Sequence, residues 1–190
     1  MQPFLHGRKQ ALEPLLQQAN QVLLKYTRLE LDFANSLEEF LSNAAKVFEA
    51  TGASSLQNEF LALSANAASA REGVNPYTLE RVSVRRRTMQ RSVGQKVLGH
   101  AAEILRNETA KCEEAIEESR SRLMPLLLNV LQRNLFQLPT AAPSQAELDR
   151  LWNLLLQDAE TQSAARYVAM TISAVDVHIL LGDLIASLQS

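Results

Sequence analysis

The chain has 190 residues, of which 46% are hydrophobic and 21% charged, and its 19 basic and 21 acidic side chains leave a net charge of −2. This length suits one domain with its own core. A single cysteine excludes a disulfide framework or a multi-cysteine zinc site. The nearly neutral net charge argues against a chain that coats nucleic acid. Leucine, alanine and glutamine are abundant while glycine and proline number six each, which predicts an all-α fold.

The first predicted helix covers residues 9–50 and is marked by apolar residues that recur every seven positions. Two neighbouring rows of this kind fall on one helical face, which predicts a stripe for helix packing or self-association. The stripe comprises Leu12, Leu16, Leu23, Tyr26, Phe33, Phe40 and Val47. Pro14 is tolerated in a first turn, and Gly52 favours a helix end just before it.

Two further helices follow in chain order. A short, alanine-rich helix is predicted over 54–71, because a serine pair precedes its apolar face and glycine and Asn-Pro signals follow it. A third helix is predicted over 77–138. Gly94 and Gly99 weaken it, and Pro125 is expected to kink it.

The last predicted helix covers residues 145–188, after a capping box formed by Ser144 and Glu147. Short connections place successive helices side by side, so we expect a single domain over residues 1–190. Its architecture would be an elongated antiparallel bundle of three long helices plus one short helix. Further helices of this chain or of a partner must bury a third apolar row of the first helix. That row comprises Leu15, Val22 and Leu29.

The sequence carries no recognisable targeting segment. The first nine residues lack the apolar region of a secretory signal, and no stretch approaches the ~18 uncharged apolar residues of a spanning helix. A single cysteine fits a reducing compartment. We therefore expect a cytoplasmic protein.

The residues that could carry chemistry do not form a catalytic or metal-binding pattern. His6, His100 and His178 are far apart and lack the Glu-x-x-His and His-Glu-x-x-His spacings of helical metal sites. The segment from His178 to Gly182 loosely resembles the motif of histidine phosphotransfer domains, with a leucine in place of the motif's lysine. Cys112 lies on an apolar stripe beside carboxylates, which favours a buried thiol over a reactive one. We expect no enzyme activity, no metal and no cofactor.

The most informative charge pattern is a basic run on the third predicted helix. Between residues 81 and 96 there are six cations and no acidic residue. The run comprises Arg81, Arg85, Arg86, Arg87, Arg91 and Lys96. The three consecutive arginines point ~100° apart on a helix, so they cannot all face one neighbour.

Two interpretations of the basic run are open. In the first, acidic residues of the first helix neutralise it; these are Glu30, Asp32, Glu38, Glu39 and Glu49. In the second, the run binds an anionic surface or an acidic partner. No aromatic residues are interleaved with the arginines, which disfavours single-stranded nucleic acid as that partner.

Two functions fit these features. The heptad-patterned faces predict a non-enzymatic protein–protein interaction module, such as an adaptor, chaperone or assembly subunit, that binds a helical partner or a second copy of itself. Alternatively, a helix of about 40 residues, a longer kinked helix with an arginine cluster and a last helix of about 45 are similar in order to BAR domains. That resemblance implies a dimer that binds anionic membranes through its basic residues.

Overall fold

The computed structural model describes residues 4–189, and the regular elements of that range are seven α-helices and one isolated β-bridge. In chain order the helices are α1 (Leu5–Thr27), α2 (Phe33–Ala50), α3 (Ser54–Arg71), α4 (Arg86–Gln132), α5 (Gln145–Gln157), α6 (Gln162–Thr171) and α7 (Ala174–Gln189). The all-α prediction is confirmed. Residues 1–3 and 190, which the predicted domain includes, lie outside the described range.

The helix predicted over 9–50 is two helices, α1 and α2, separated by a turn at residues 28–32. The backbone N–H of Leu29 donates to the carbonyl of Tyr26, and Leu29 has a left-handed φ of 59°, which ends the helix. The heptad pattern does not reveal this break. Tyr26 and Phe33 are successive members of the pattern, and their rings still contact each other across the turn, with centroids 5.3 Å apart.

Helix α3 has its predicted bounds, but its N-cap is Ala53 and the serine pair does not cap it. The helix predicted over 77–138 is shorter at both ends. Residues 73–82 instead form a hairpin, in which the N–H of Val82 donates to the carbonyl of Gly73. Helix α4 therefore begins only at Arg86, and it continues through Pro125.

The helix predicted over 145–188 is three helices, α5, α6 and α7. Its predicted start is confirmed, because Ser144 and Glu147 form the reciprocal hydrogen bonds of a capping box. Between α5 and α6 the chain turns around Thr161, a buried residue whose hydroxyl donates to the carbonyl of Leu155. Neither glycine nor proline marks this turn, so the pattern of apolar residues runs on through it.

The contacts between Cα atoms divide the chain into two compact units. The middle unit is Gln10–Thr109, with α2, α3 and the parts of α1 and α4 inside these bounds. The terminal unit consists of the residues on either side, of which 4–9 and 110–189 are described. The single domain over 1–190 stays a prediction.

The core of the middle unit draws on all four of its helices. Its largest fully buried side chains are Phe40, Phe48 and Phe60, together with Leu12, Leu41 and Leu105. Gly94 lets the ring of Phe33 pack directly on α4, because a Cβ at this position would lie only 2.7 Å from Cε1 of Phe33.

The terminal unit contains a fully buried carboxylate, Asp176. It accepts hydrogen bonds of 2.9 Å from the backbone N–H groups of Leu5 and His6, and one of 2.6 Å from the hydroxyl of Ser173. Burial opposes its ionisation, but the hydrogen bonds from Ser173 and His6 outweigh burial and lower the pKa of Asp176 below its ordinary value. The carboxylate thereby supplies acceptors to the first turn of α1.

Candidate anionic-surface binding site

Four helix ends meet at one end of the middle unit: the last turns of α1 and α3 and the first turns of α2 and α4. Glu38 of α2 forms an ion pair of 2.7 Å with Arg71 of α3. The hydroxyl of Tyr26 in α1 donates to the side chain of Gln95 in α4 over 2.8 Å. The basic run identified in the sequence begins in the hairpin before α4 and continues along this part of the helix.

Two arginines of the run donate hydrogen bonds to carbonyl groups at the C-terminal ends of neighbouring helices. The guanidinium of Arg91 lies over the ring of Tyr26, 4.8 Å from its centroid, and donates to the Tyr26 carbonyl in the last turn of α1. Arg86 donates through Nε to the carbonyl of Arg71 at the end of α3, over 3.1 Å. Carbonyl groups at a helix C-terminus carry partial negative charge, so both arginines stabilise helix ends.

The remaining cations of the run are exposed. The ammonium of Lys96 lies 5.1 Å from the centre of the Tyr77 ring, a cation–π contact with the hairpin. Arg81, Arg85 and Arg87 differ from the other three, because no residue between 4 and 189 forms an ion pair or a side-chain hydrogen bond with them. Three guanidinium groups are therefore available to a ligand.

The acidic residues of α2 and of the turn before it do not neutralise these three arginines. Asp32 pairs with Lys25, whose hydrogen bond lowers the pKa of Asp32 below its ordinary value. Glu38 is engaged by Arg71. Within the described range, no carboxylate forms an ion pair with any cation of the run.

Exposed aliphatic side chains lie near two of the available arginines, because Val84 directly precedes Arg85 and Leu31 lies near Arg87. In the turn between α1 and α2, Leu29 is 68% and Leu31 83% exposed, and Val84, just before α4, is 76% exposed. Leu31, Arg87 and the acidic Glu30 line the same small cavity, and no ion pair joins Glu30 to Arg87. We call this surface the leucine–arginine end; it comprises Leu29, Leu31, Val84, Arg81, Arg85 and Arg87.

Sequence reasoning missed the aliphatic half of this surface. Leu29 continues the row of Leu15 and Val22, which are both buried, and only the end of α1 at Thr27 separates it from them. A signal was present: across residues 28–32, charged residues alternate with leucines. A period of two does not fit a continuing helix.

Most of the predicted helix-packing stripe lies in the interior of the middle unit. Six of its seven side chains are buried in the core or pack against it: Leu12, Leu16, Tyr26, Phe33, Phe40 and Val47. Leu23 is 43% exposed. The stripe is therefore engaged within the chain and leaves one member at the surface.

In the terminal unit, an apolar groove of about 690 Å³ runs beside α7 and includes His178 in its lining. Nε2 of His178 lies 3.2 Å from Oδ1 of Asp149, and its Nδ1 lies 2.8 Å from the side-chain nitrogen of Gln145. A histidine beside a carboxylate is part of many catalytic sites, but the groove lining contains no serine, threonine or cysteine to act as nucleophile.

The other two histidines also lie beside carboxylates. Nδ1 of His6 is 2.6 Å from Oδ1 of the buried Asp176, and His100 pairs with Glu59 over 3.1 Å at the surface. Cys112 is buried. Nowhere between residues 4 and 189 do three or more histidine, cysteine or carboxylate side chains cluster in a way that could hold a metal ion. The helices of the same range include none with the length and apolarity to cross a membrane.

Comparison of the chain with protein-family models, with curated proteins and with solved structures finds no match.

Proposed function

We propose that this protein is a non-enzymatic binding module that docks on an anionic partner through the leucine–arginine end. The observation that supports the proposal is that the arginines of the basic run differ in whether they bind other parts of the chain. Arg86 and Arg91 close helix ends, whereas Arg81, Arg85 and Arg87 are exposed with no partner among the residues described. Solvated cations carried by one short stretch of chain repel one another, and a bound anion relieves that repulsion.

Arginine also favours a particular kind of anion. Its planar guanidinium presents donors in a fork that matches phosphate and carboxylate groups, so arginine binds these groups in a bidentate manner. The stretch that carries the arginines is held in place, because Arg86 and Arg91 attach the start of α4 to α3 and α1. Such attachment reduces the conformational entropy that binding removes.

The absence of catalysis is part of this proposal. Two histidine–carboxylate pairs resemble part of a catalytic site, His178 with Asp149 and His6 with Asp176. The groove beside His178 is lined mostly by apolar side chains, and beside His6 the hydroxyl of Ser173 donates to Asp176 rather than to the histidine. A general base without an adjacent nucleophile or a polar substrate pocket supports no reaction class. Binding a helical partner or a second copy through heptad faces stays a prediction.

The test is retention on a phosphate-bearing cellulose resin across a salt gradient. Arg81, Arg85 and Arg87 are changed together to alanine, and the affinity should fall about a hundredfold, at about 1 kcal/mol for each arginine near an anionic surface. The matched control changes three other exposed arginines, Arg106, Arg150 and Arg166, to alanine and so removes the same charge.

The control should elute close to the wild-type protein. Equal shifts of the two variants would show that only net charge matters, which contradicts a site at the leucine–arginine end. Passage of the wild-type protein through the resin at low salt would contradict anion binding altogether.

A further inference from the structure

We propose that the anionic partner is a lipid bilayer, with Leu29 and Leu31 entering the boundary between headgroups and acyl chains. The available arginines then contact the phosphate and carboxylate groups of the lipids. This inference rests on the proposed function and names the partner of the same surface.

The backbone of the turn after α1 carries the first argument. Four helices end in the same hydrogen-bonding pattern, with a left-handed residue just beyond the last turn. After α2, α3 and α4 that residue is Gly52, Gly73 or Asn134, the types that adopt this conformation most readily. After α1 it is Leu29. A left-handed backbone is unfavourable for leucine. The fold does not offset this cost by burying the Leu29 side chain, because most of that side chain is exposed.

The shape of the surface favours a bilayer over a folded protein partner. Protein interfaces gain most of their affinity from side chains that fill well-packed pockets. The cavity beside Leu31 has a volume of about 40 Å³, enough for a few water molecules but not for an anchoring side chain. A fluid bilayer accepts protruding side chains such as Leu31 and Val84 without a matching shape.

The charges of the turn are consistent with an anionic lipid surface. Its two acidic residues each have a cation nearby: Glu30 lies 4.0 Å from Arg28, and Asp32 is paired with Lys25. Arg87 lines one cavity with Leu31 and Glu30, and none of the three available arginines forms an ion pair with an acidic residue between residues 4 and 189. Apolar insertion and basic residues provide the two contributions that stable membrane binding needs.

The experiment is co-sedimentation with vesicles of phosphatidylcholine and phosphatidylserine, comparing the wild-type protein with a Leu29→Gly/Leu31→Ser variant. Vesicle affinity should fall by about tenfold for each leucine removed. The Tm of the variant should rise by about 2–4 °C, because glycine relieves the left-handed backbone at position 29. The matched control, Leu61→Ala, trims a half-exposed leucine of α3 and should bind vesicles like the wild-type protein.

Retention on the phosphate-bearing resin separates this inference from the proposed function. A variant that loses vesicle binding but elutes from the resin with the wild-type protein supports bilayer insertion. If the variant binds vesicles as strongly as the wild-type protein does, bilayer insertion is overturned. A wild-type protein that binds the resin but no vesicles also overturns it, and points to an acidic protein as the partner. Failure to bind the resin overturns the proposed function itself.

Discussion

At its first turn, α1 is closed by a buried carboxylate from α7, whereas at its last turn it ends in a strained and exposed leucine. Asp176 accepts from the backbone of Leu5 and His6 and has no exposed surface. Leu29 has a left-handed backbone and leaves most of its side chain in solvent. The first arrangement is explained by the stability of the fold. The second opposes stability, which is the observation behind the binding role proposed for this surface.

The largest expected effect concerns the buried end. Asp176→Ala removes the acceptor of two backbone donors and of the Ser173 hydroxyl, together with the 2.6 Å contact to Nδ1 of His6, and should lower the free energy of unfolding by about 3–5 kcal/mol. Urea denaturation followed by circular dichroism measures this loss. Asp183→Ala, on the exposed side of α7, breaks only a 3.5 Å surface pair with Arg120 and should change stability by under about 1 kcal/mol.

At acidic pH, the free energies of unfolding of the wild-type protein and of Asp176→Ala should differ less than at neutral pH. Because the pKa of Asp176 is lowered in the folded state, its contribution is complete above the ordinary value of 3.8 and is lost as pH falls through the folded value. A difference in stability that stays constant down to the acid transition would contradict this role.

The next effect tests the packing beneath the exposed end. Gly94→Ala places a methyl group against the Phe33 ring and should destabilise the protein by about 1–3 kcal/mol, although alanine is the better helix former. Gly99→Ala, on the same helix with nothing within 4 Å of the new Cβ, should stabilise it by about 1 kcal/mol. Thermal unfolding of the two variants measures the contrast, and a stabilising Gly94→Ala would show that the ring moves away freely.

The smallest effect separates two arginines of one helix. Arg91→Ala loses a cation–π contact and a hydrogen bond to a helix-end carbonyl, and should destabilise the protein by about 1–2 kcal/mol. Arg87→Ala should leave stability within about 0.5 kcal/mol and weaken vesicle binding several-fold. Thermal unfolding and co-sedimentation of both variants give the two measurements. If Arg87→Ala unfolds as early as Arg91→Ala, the division between structural and binding arginines is wrong.

Composition and periodicity predicted the helical class, the bounds of α3 and the capping box before α5, because these follow from local rules. They did not predict the turn at residues 28–32. An apolar period of seven persists across it, and its left-handed residue is a leucine rather than the expected glycine. Likewise, the turns on either side of α6 contain no glycine or proline. Where tertiary contacts end a helix, the periodic pattern of apolar residues continues unchanged, so the pattern does not predict the helix end.

The basic run was visible in the sequence, but its division into structural and available arginines was not. Arg86 and Arg91 find their acceptors on α3 and α1, at carbonyls that are distant in the sequence. Only the packing of the helices brings these groups together. The same packing decides that Leu15 and Val22 are interior while Leu29, in the same row, is exposed.

The hydrogen bond that begins α1 also bears on the order in which the chain folds as it is synthesised. The backbone of Leu5 and the carboxylate of Asp176 are 171 residues apart in the sequence. The first turn of α1 must therefore wait for its acceptor until α7 has left the ribosome. The core of the middle unit is built from residues between Leu12 and Leu105, all of which are synthesised before α7. We therefore expect the surface with the exposed leucines to form earlier, so that nascent chains stalled between the two units already carry it.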